Sequence, residues 1–161
     1  MSIRLGREEA WEVLGSSHTG IFTSLRSDGM PITLPVWFVA LDERIYIDAV
    51  ARTKKVARIR RDPRVSFLVE SGERWRDLRG VHLTGRARIV SEPGLIERVG
   101  KALGEKYAGF AGDRSAMPAE TRGHYEVEHL VIEVEPDERI LSYENARIPL
   151  TPPGQGRGRY V

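Results

Sequence analysis

The chain has 161 residues, of which 40% are apolar and 30% charged, with a formal net charge of +2, which places it as one globular domain of ordinary size. No apolar run approaches the ~20 residues that a membrane-spanning helix requires, so we expect a soluble protein without a membrane partner. The sequence holds no cysteine, which excludes disulfides, thiolate metal sites and cysteine nucleophiles.

The N-terminal segment is charged and amphipathic and lacks the continuous apolar core of a secretory signal. We therefore expect a cytoplasmic protein, and the lack of cysteine is compatible with that reducing compartment. Within this segment, Trp11 and Leu14 stand at helical spacing behind Glu8 and Glu9, acidic residues that suit the start of a helix. The pattern predicts a short helix over 7–14.

Three β-strands follow, separated by polar turns. The pattern predicts strands over 21–25, 32–41 and 44–50, with turns at 27–29 and 42–43. Consecutive strands joined by tight turns predict a three-stranded meander.

The segment KKVARIRR, residues 54–61, predicts a second helix with Thr53 at its N-terminus. This helix ends at Asp62-Pro63, because proline disfavours helical geometry in the residue before it. Two more strands are predicted over 65–70 and 80–90.

The C-terminal third begins with a helix that opens at 91–93 and is followed by a Gly- and Ala-rich stretch, 108–123. That stretch has weak periodicity and is predicted to be loop with at most a helical turn. Strands are predicted over 125–134 and 139–143, with a turn at Pro136-Asp137 between them. The apolar stripe of the helix comprises Leu95, Ile96, Val99, Leu103 and Tyr107.

Six or seven strands in a mostly antiparallel order, with few and short helices, predict a mostly β (α+β) fold built as a small barrel. No G-x-G-x-x-G joins a strand to a helix, which argues against a dinucleotide-binding Rossmann sheet. We predict one domain over 1–145, followed by a mobile tail over 146–161 that has Gly and Pro without a core pattern.

Positive charge is concentrated in one stretch. Residues 51–64 hold seven Arg or Lys and one Asp, a local charge of +6 in a chain whose total is +2. Such concentration favours a single anion site over a surface that follows a polyanion. A helix N-terminus with Thr53, Lys54 and Lys55 beside it suits a phosphate, although a solvated surface helix explains the same pattern equally well.

The segment PITLPVWFV, residues 31–39, carries two prolines four residues apart. Each proline lacks a backbone donor, so this strand is predicted to be an edge or bulged strand. An edge strand has unpaired backbone groups that can bind a flat heterocycle, and Val36 or Trp37 could cover one face of it. In the alternative interpretation, Trp37 and Phe38 are ordinary core residues on the two faces of the strand.

These segments resemble the flavin and deazaflavin oxidoreductases of the pyridoxamine 5′-phosphate oxidase-like split β-barrel family. The residues that carry the resemblance are 28–39, 44–70 and 80–90, above all the motif K-V-x-x-I-R-R-D-P-R-V, and the likeness extends over about 7–145. It implies a six- to seven-stranded antiparallel split β-barrel that forms a homodimer with two cofactor sites at the subunit interface.

The resemblance also implies which residues bind the cofactor. Backbone groups of the proline-bearing strand would contact the flavin-like ring, two residues of the following strand would lie beside the ribityl chain, and the start of the basic helix would bind the phosphate. The residues at the ring are Thr33, Leu34, Pro35, Val36 and Trp37. Those beside the ribityl chain are Ile47 and Asp48, and those at the phosphate are Thr53, Lys54 and Lys55. Arg58, Arg60 and Arg61 are expected at the surface or the interface, because the helix turns them away from its first turn.

The implied activity is hydride transfer between the cofactor and a small unsaturated or electrophilic organic substrate. TLPVWF and SFLVESGERWRDLRG are most similar to the branch that uses the deazaflavin coenzyme F-420, with flavin mononucleotide (FMN) as the next candidate. Pyridoxamine phosphate oxidation is disfavoured, because the chain lacks the long C-terminal extension of those enzymes. No catalytic residue is nominated; Arg79 and His82 are candidates for contacting the substrate.

Two other classes of function are weighed against this one. A non-catalytic carrier or sensor of flavin, deazaflavin or haem could use the same barrel. A nucleic-acid-binding barrel is disfavoured, because few aromatic residues are interleaved with the basic ones. The four histidines show no metal-ligand spacing, so no metal site is expected.

Overall fold

The structure is a computed structural model that describes residues 2–150. Within this range, four α-helices and seven β-strands form the fold. The helices are α1 (Arg7–Ser16), α2 (Lys54–Arg61), α3 (Pro93–Lys106) and α4 (Ala119–Tyr125). The strands are β1 (Gly20–Leu25), β2 (Pro31–Val36), β3 (Val39–Leu41), β4 (Arg44–Val50), β5 (Arg64–Ser71), β6 (Arg79–Ile89) and β7 (His129–Glu144). Of the tail predicted to be mobile, 151–161 lies outside the described residues.

All seven strands belong to one sheet, in the order β2-β1-β5-β6-β7-β4-β3, and every pairing is antiparallel. The sheet curls into a half-barrel, which confirms the predicted fold class. No helix among residues 2–150 is long and apolar enough to cross a membrane.

The predicted meander is wrong at its middle strand. Residues 32–41 form two strands, β2 and β3, which break at Trp37-Phe38 and lie at opposite edges of the sheet. β2 pairs with β1 and β3 pairs with β4, so the chain crosses from one edge of the curled sheet to the other at this break. Among the described strands β2 pairs with β1 alone, which confirms that the proline-bearing segment is an edge strand.

The last two predicted strands are one long strand. β7 begins at His129 rather than at Tyr125 and continues through Pro136-Asp137, where a turn was predicted. The register against β6 shifts between Leu83 and Gly85, so an irregularity accommodates the proline without ending the strand. A Cβ on Gly85 would lie 2.2 Å from the Glu135 carbonyl oxygen, so a side chain cannot be placed there without a shift of the backbone.

The helices follow the sequence pattern more closely. α2 covers 54–61 as predicted and is followed by Asp62-Pro63. The stretch predicted as loop, 108–123, contains a 3-10 turn and most of α4, which weak periodicity did not reveal. The main core lies inside the curl of the sheet, where Phe22, Phe38 and Phe67 are among the fully buried side chains.

Candidate functional site

The structure has a cavity of about 720 Å³ between the curled sheet and α3. The C-terminal half of β4, the start of α2 and the first residue of β7 form one wall, and α3 with the segment after it forms the other. The end of β2 and the break that follows it complete the cavity. The lining residues are Pro35, Val36, Trp37, Asp48, Ala49, Val50, Thr53, Lys55, Gly100, Leu103, Gly104, Tyr107, Ala108, Gly109, Ala111 and His129.

One end of the cavity is formed by the start of α2. Thr53 stands at the N-cap, yet its side chain makes no capping hydrogen bond, and its buried Oγ1 has no hydrogen-bond partner within the part of the chain that the structure describes. A buried hydroxyl left unpaired costs free energy, so the fold leaves the hydrogen-bonding capacity of this atom unused. Because α2 begins here, its free backbone amides lie next to Thr53 and add partial positive charge.

Lys55 contributes the cation at this end of the cavity. Burial lowers the pKa of its ammonium group, and repulsion from Arg58 lowers it further, whereas Asp48 acts in the opposite direction. The protein therefore holds a lysine where its charged form is disfavoured. A bound anion would reverse this effect, because an opposite charge stabilises the ammonium.

A second pair of ionisable side chains lies in the same cavity. The register of β4 and β7 places His129 opposite Val50, and His129 Nδ1 lies 2.6 Å from Asp48 Oδ2. Both side chains are partly exposed, at 31% for His129 and 48% for Asp48. This end of the cavity thus combines an ammonium, an imidazole, a carboxylate and an unpaired hydroxyl.

The other end of the cavity is aromatic. The rings of Trp37 and Tyr107 stack with centroids 4.4 Å apart and planes 6° apart. The Tyr107 hydroxyl accepts a hydrogen bond from the Phe38 backbone N–H at 2.8 Å, and it can donate to the carbonyl oxygens of Phe38 at 3.0 Å or His18 at 2.7 Å. Tyr107 therefore fixes the break between β2 and β3 and the position of Trp37.

Further rings and one ammonium surround this stack. The His18 ring makes edge contacts with Tyr107 and Phe110, with centroids 5.1 and 4.5 Å apart. Lys106 Nζ lies 3.9 Å from the centre of the Phe38 ring, and burial lowers the pKa of Lys106 to about 8. Lys106 contacts the rings from behind and does not line the cavity.

The α3 wall is smooth because Gly100 and Gly104 face the cavity. A Cβ built on either glycine meets no atom within 4 Å, so the space beside the helix is open. The cavity therefore has the form of a slot, with α3 on one side and β4 on the other.

Six of the ten residues predicted to bind a cofactor line this cavity: Pro35, Val36, Trp37, Asp48, Thr53 and Lys55. The other four are placed elsewhere. Ile47 is fully buried in the core, and Leu34 and Lys54 are exposed at the surface. Thr33 Oγ1 is hydrogen-bonded to Thr23 Oγ1 at 2.9 Å on the sheet edge.

The two residues predicted to contact a substrate lie apart from this cavity. His82 lines a different cavity, of about 500 Å³, on the face of β6 and β7 that also carries Leu141 and Tyr143. Arg79 lies 3.9 Å from Glu144. The structure does not bring either residue to the slot between β4 and α3.

The basic residues later in α2 point away from the cavity. Arg58 donates to Ser24 Oγ at 2.8 Å and Arg61 donates to the Leu25 carbonyl at 2.5 Å, whereas Arg60 is exposed. Sequence reasoning set His129 aside because no histidine spacing suggested a site. Its link to Asp48 depends on the pairing of β4 with β7, which joins residues 81 positions apart.

Known proteins share both the sequence pattern and the architecture of this chain. The sequence matches the model of the pyridoxamine 5′-phosphate oxidase family over residues 7–141. A conserved hypothetical protein from Mycobacterium tuberculosis is 30% identical, with a TM-score of 0.76 and 92% of each chain covered. No curated protein matches the sequence.

Two further solved structures share the fold at lower identity. An F-420 reductase is 21% identical, with a TM-score of 0.59, covering 81% of this chain and 94% of its own. An FAD-binding protein from Mesorhizobium loti is 18% identical, with a TM-score of 0.65, covering 86% of this chain and 93% of its own. At these identities the likeness concerns the fold alone.

Proposed function

The chain belongs to the pyridoxamine 5′-phosphate oxidase family, and from that membership we propose that it is an oxidoreductase with a flavin-type cofactor. The proposed reaction transfers a hydride between that cofactor and a small unsaturated or electrophilic organic substrate. Among cofactors we favour the deazaflavin coenzyme F-420, with FMN next, on the resemblance of TLPVWF and SFLVESGERWRDLRG to the deazaflavin-using branch. An F-420 reductase of the same fold supports this choice.

The observation that carries the proposal is the unused binding capacity at the start of α2. Thr53 Oγ1 is buried without a partner among the described residues, and Lys55 beside it is partly desolvated. A phosphoryl group would accept from the hydroxyl and pair with the ammonium, which satisfies both at once. These two side chains and the first amides of α2 fit the phosphate of a coenzyme.

The rest of the slot fits a ring joined to that phosphate by a short linker. Pro35 and Val36 supply an edge strand with backbone groups on one side, and the Trp37–Tyr107 stack closes the aromatic end. Asp48 lines the cavity at the same end as Lys55, where its carboxylate would accept hydrogen bonds from linker hydroxyls. When bound, the reduced ring supplies a hydride to an electrophilic carbon, and a proton from water completes the reduction.

The proposed assembly is a homodimer with two cofactor sites at the subunit interface, as the family resemblance implies. The exposed apolar side chains of the β2 edge, Met30 and Leu34, and of the β7 face, Leu141 and Tyr143, provide surface that a second subunit could cover. Light scattering at micromolar concentration measures the mass of the assembly, and a monomer at every concentration contradicts this part of the proposal.

The test of the cofactor begins with the absorbance spectrum and mass of any small molecule that co-purifies with the protein. Titration with F-420 and with FMN then measures affinity for each. Oxidation of the reduced coenzyme is followed with enones, quinones, nitroaromatics and biliverdin as acceptors. We expect turnover with at least one acceptor; tight binding without turnover supports the carrier or sensor instead, and no binding of either coenzyme at millimolar concentration rejects the proposal.

A further inference from the structure

The outer face of the curled sheet carries the second cavity, of about 500 Å³, which shares no lining residue with the slot between β4 and α3. On β6, Val81 and Leu83 are buried in the core, so His82 between them faces outward. The volume of this cavity is in the range of sites that hold small organic molecules. We call it the outer cavity, and its lining includes Arg4, Leu68, His82, Arg139, Leu141 and Tyr143.

The floor of the outer cavity comes from three neighbouring strands and is mostly apolar. Strand pairing sets Leu68 of β5 opposite His82 of β6, and His82 opposite Leu141 of β7. In the next row Gly80 is opposite Tyr143, and a Cβ on Gly80 would lie 2.8 Å from the Tyr143 ring. Glycine at this position therefore lets the Tyr143 ring lie against the β6 backbone. Two rings and two leucines thus form a surface that suits a flat apolar molecule.

Two arginines line the same cavity, and the fold neutralises neither of them. Arg139 belongs to β7 and Arg4 to the segment before α1, and both are exposed. Among residues 2–150, neither guanidinium takes part in an ion pair or a hydrogen bond. Glu144, a carboxylate of the same strand, instead binds Arg147 at 2.6 Å.

Arg4 is fixed at the cavity by the backbone on either side of it. β4 pairs with β7 only as far as Val134, so the C-terminal half of β7 has a free edge there. The segment before α1 occupies this edge. The Glu144 N–H donates to the Ile3 carbonyl at 2.8 Å, and the Leu5 N–H donates to Ser142 Oγ at 3.0 Å. The fold itself therefore brings Arg4 to the cavity that Arg139 lines.

The charges of the outer cavity are not balanced as they are in the slot. None of the described residues that line it is acidic, whereas in the slot Asp48 lies beside Lys55. Asp137 lies next to the outer cavity, but it accepts a hydrogen bond from the Thr84 hydroxyl. Two positive charges thus stand above an apolar floor. A guanidinium pairs best with a carboxylate, through two parallel hydrogen bonds.

We propose that the outer cavity is a binding site for a small aromatic carboxylate, whose ring lies on the floor and whose carboxylate pairs with Arg139 and Arg4. The aromatic ring finds contacts with Leu141 and Tyr143, and the anion supplies the charge that the fold does not. This site is separate from the proposed cofactor site and does not depend on it.

The second subunit of the proposed homodimer is the other candidate occupant of this face. Residues 26–36, which include the apolar β2 edge, contain one acid, Asp28, and it pairs with Arg26 at 2.9 Å. A subunit that covered the outer cavity with that edge would bury two guanidiniums without a partner, which is costly. The charge therefore favours a small anion over this surface of a second copy.

The test compares two probes of the same shape, 2-naphthoate and the neutral 2-naphthamide, by calorimetric titration of the full chain. We expect 2-naphthoate to bind about tenfold more tightly or better, the effect of hydrogen bonds to a charged group. Arg139→Gln should weaken 2-naphthoate about tenfold and change 2-naphthamide by less than about twofold. Arg4→Gln should act in the same direction. Arg86→Gln is the matched control, an exposed arginine of β6 outside the cavity lining, and should bind both probes as the native protein does.

The location of the bound probe is measured by the shifts of backbone amide resonances. On addition of 2-naphthoate we expect the largest shifts at 80–82 and 139–143, and none at Gly100 or Gly104, which line the slot. Light scattering on the native protein and on Arg139→Gln reports whether the substitution alters the assembly.

The outcomes distinguish the possible occupants of this face. If the native protein binds 2-naphthoate no better than 2-naphthamide, or Arg139→Gln binds 2-naphthoate with native affinity, the proposal is overturned. Shifts confined to the slot overturn it as well, because the probe then occupies the proposed cofactor site. If Arg139→Gln changes the mass of the assembly but keeps native affinity for 2-naphthoate, the face is an interface between copies of the chain. The titrations with F-420 and FMN test the cofactor independently of all these results.

Discussion

The two ends of the cavity differ in how their polar groups are satisfied. At the aromatic end, the Tyr107 hydroxyl is within hydrogen-bond distance of one backbone N–H and two carbonyl oxygens. At the other end, Thr53 Oγ1 is buried and has no partner among residues 2–150, and Lys55 is partly desolvated beside it. Two hydroxyls in one cavity thus have opposite environments.

On this difference we base the proposal that the start of α2 is the binding end and that the aromatic end supports the fold. A protein that folds cooperatively pairs its buried polar groups, so a satisfied group is explained by the fold and an unsatisfied one points to a ligand. Lys106 is the exception at the aromatic end, because its buried Nζ has no hydrogen-bond partner. That ammonium lies over the Phe38 ring, where a cation–π contact stabilises it.

The largest expected effect concerns the cation of the binding end. Lys55→Ala should weaken coenzyme binding by about 1.5–3 kcal/mol, the scale of a hydrogen bond to a charged group. Removal of a partly buried charge should leave the free energy of unfolding unchanged or raise it. Calorimetric titration measures the affinity, and Lys101→Ala, an exposed lysine on α3, is the matched control. A folded Lys55→Ala protein with native affinity would remove the phosphate assignment.

The grouping of residues at the start of α2 follows from the sequence more directly than the long-range contacts of the cavity do, for a physical reason. Thr53, Lys54 and Lys55 adjoin the start of a helix, and local chain geometry alone brings their neighbours together. Tyr107 reaches Phe38 across 69 positions, and His129 reaches Asp48 across 81, through contacts that depend on how distant elements pack. No local pattern in the sequence contains this information.

The errors in the predicted fold also come from contacts between distant parts of the chain. A run of residues such as 32–41 has the composition of one strand, and only the closure of the curled sheet divides it between two edges. Pro136 suggests a turn by its chemistry, whereas the register shift beside Gly85 lets β7 continue through it. The elements α1, β1, β4, α2, β5 and β6 depend on local periodicity, and the sequence places each within two residues of its observed ends.

The next largest expected effect concerns Tyr107 at the aromatic end, which supports the fold. Tyr107→Phe keeps the ring that stacks on Trp37 and removes the hydroxyl, which leaves the buried Phe38 N–H without its partner. The free energy of unfolding should fall by about 1–3 kcal/mol, the cost of an unsatisfied buried donor. Urea unfolding measures it. Coenzyme affinity should change by less than about 0.5 kcal/mol, because the hydroxyl is already used within the protein. A loss of affinity with native stability would contradict the division between the two ends.

The smallest expected effect concerns Thr53, where we expect the reverse of Tyr107→Phe: coenzyme affinity should fall while stability is kept. Thr53→Val is nearly isosteric and removes a hydroxyl that makes no hydrogen bond in the protein. The free energy of unfolding should stay the same or rise by a few tenths of a kcal/mol, because an unpaired buried oxygen is lost. Coenzyme affinity should fall by about 0.5–1.5 kcal/mol, the net contribution of one hydrogen bond to the phosphate.

Tyr107→Phe and Thr53→Val are then each other's control: Tyr107→Phe should lower stability and keep affinity, whereas Thr53→Val should lower affinity and keep stability. If Thr53→Val lowers stability instead, its hydroxyl supports the fold, and the capacity for a ligand at the start of α2 depends on Lys55 and the helix amides alone.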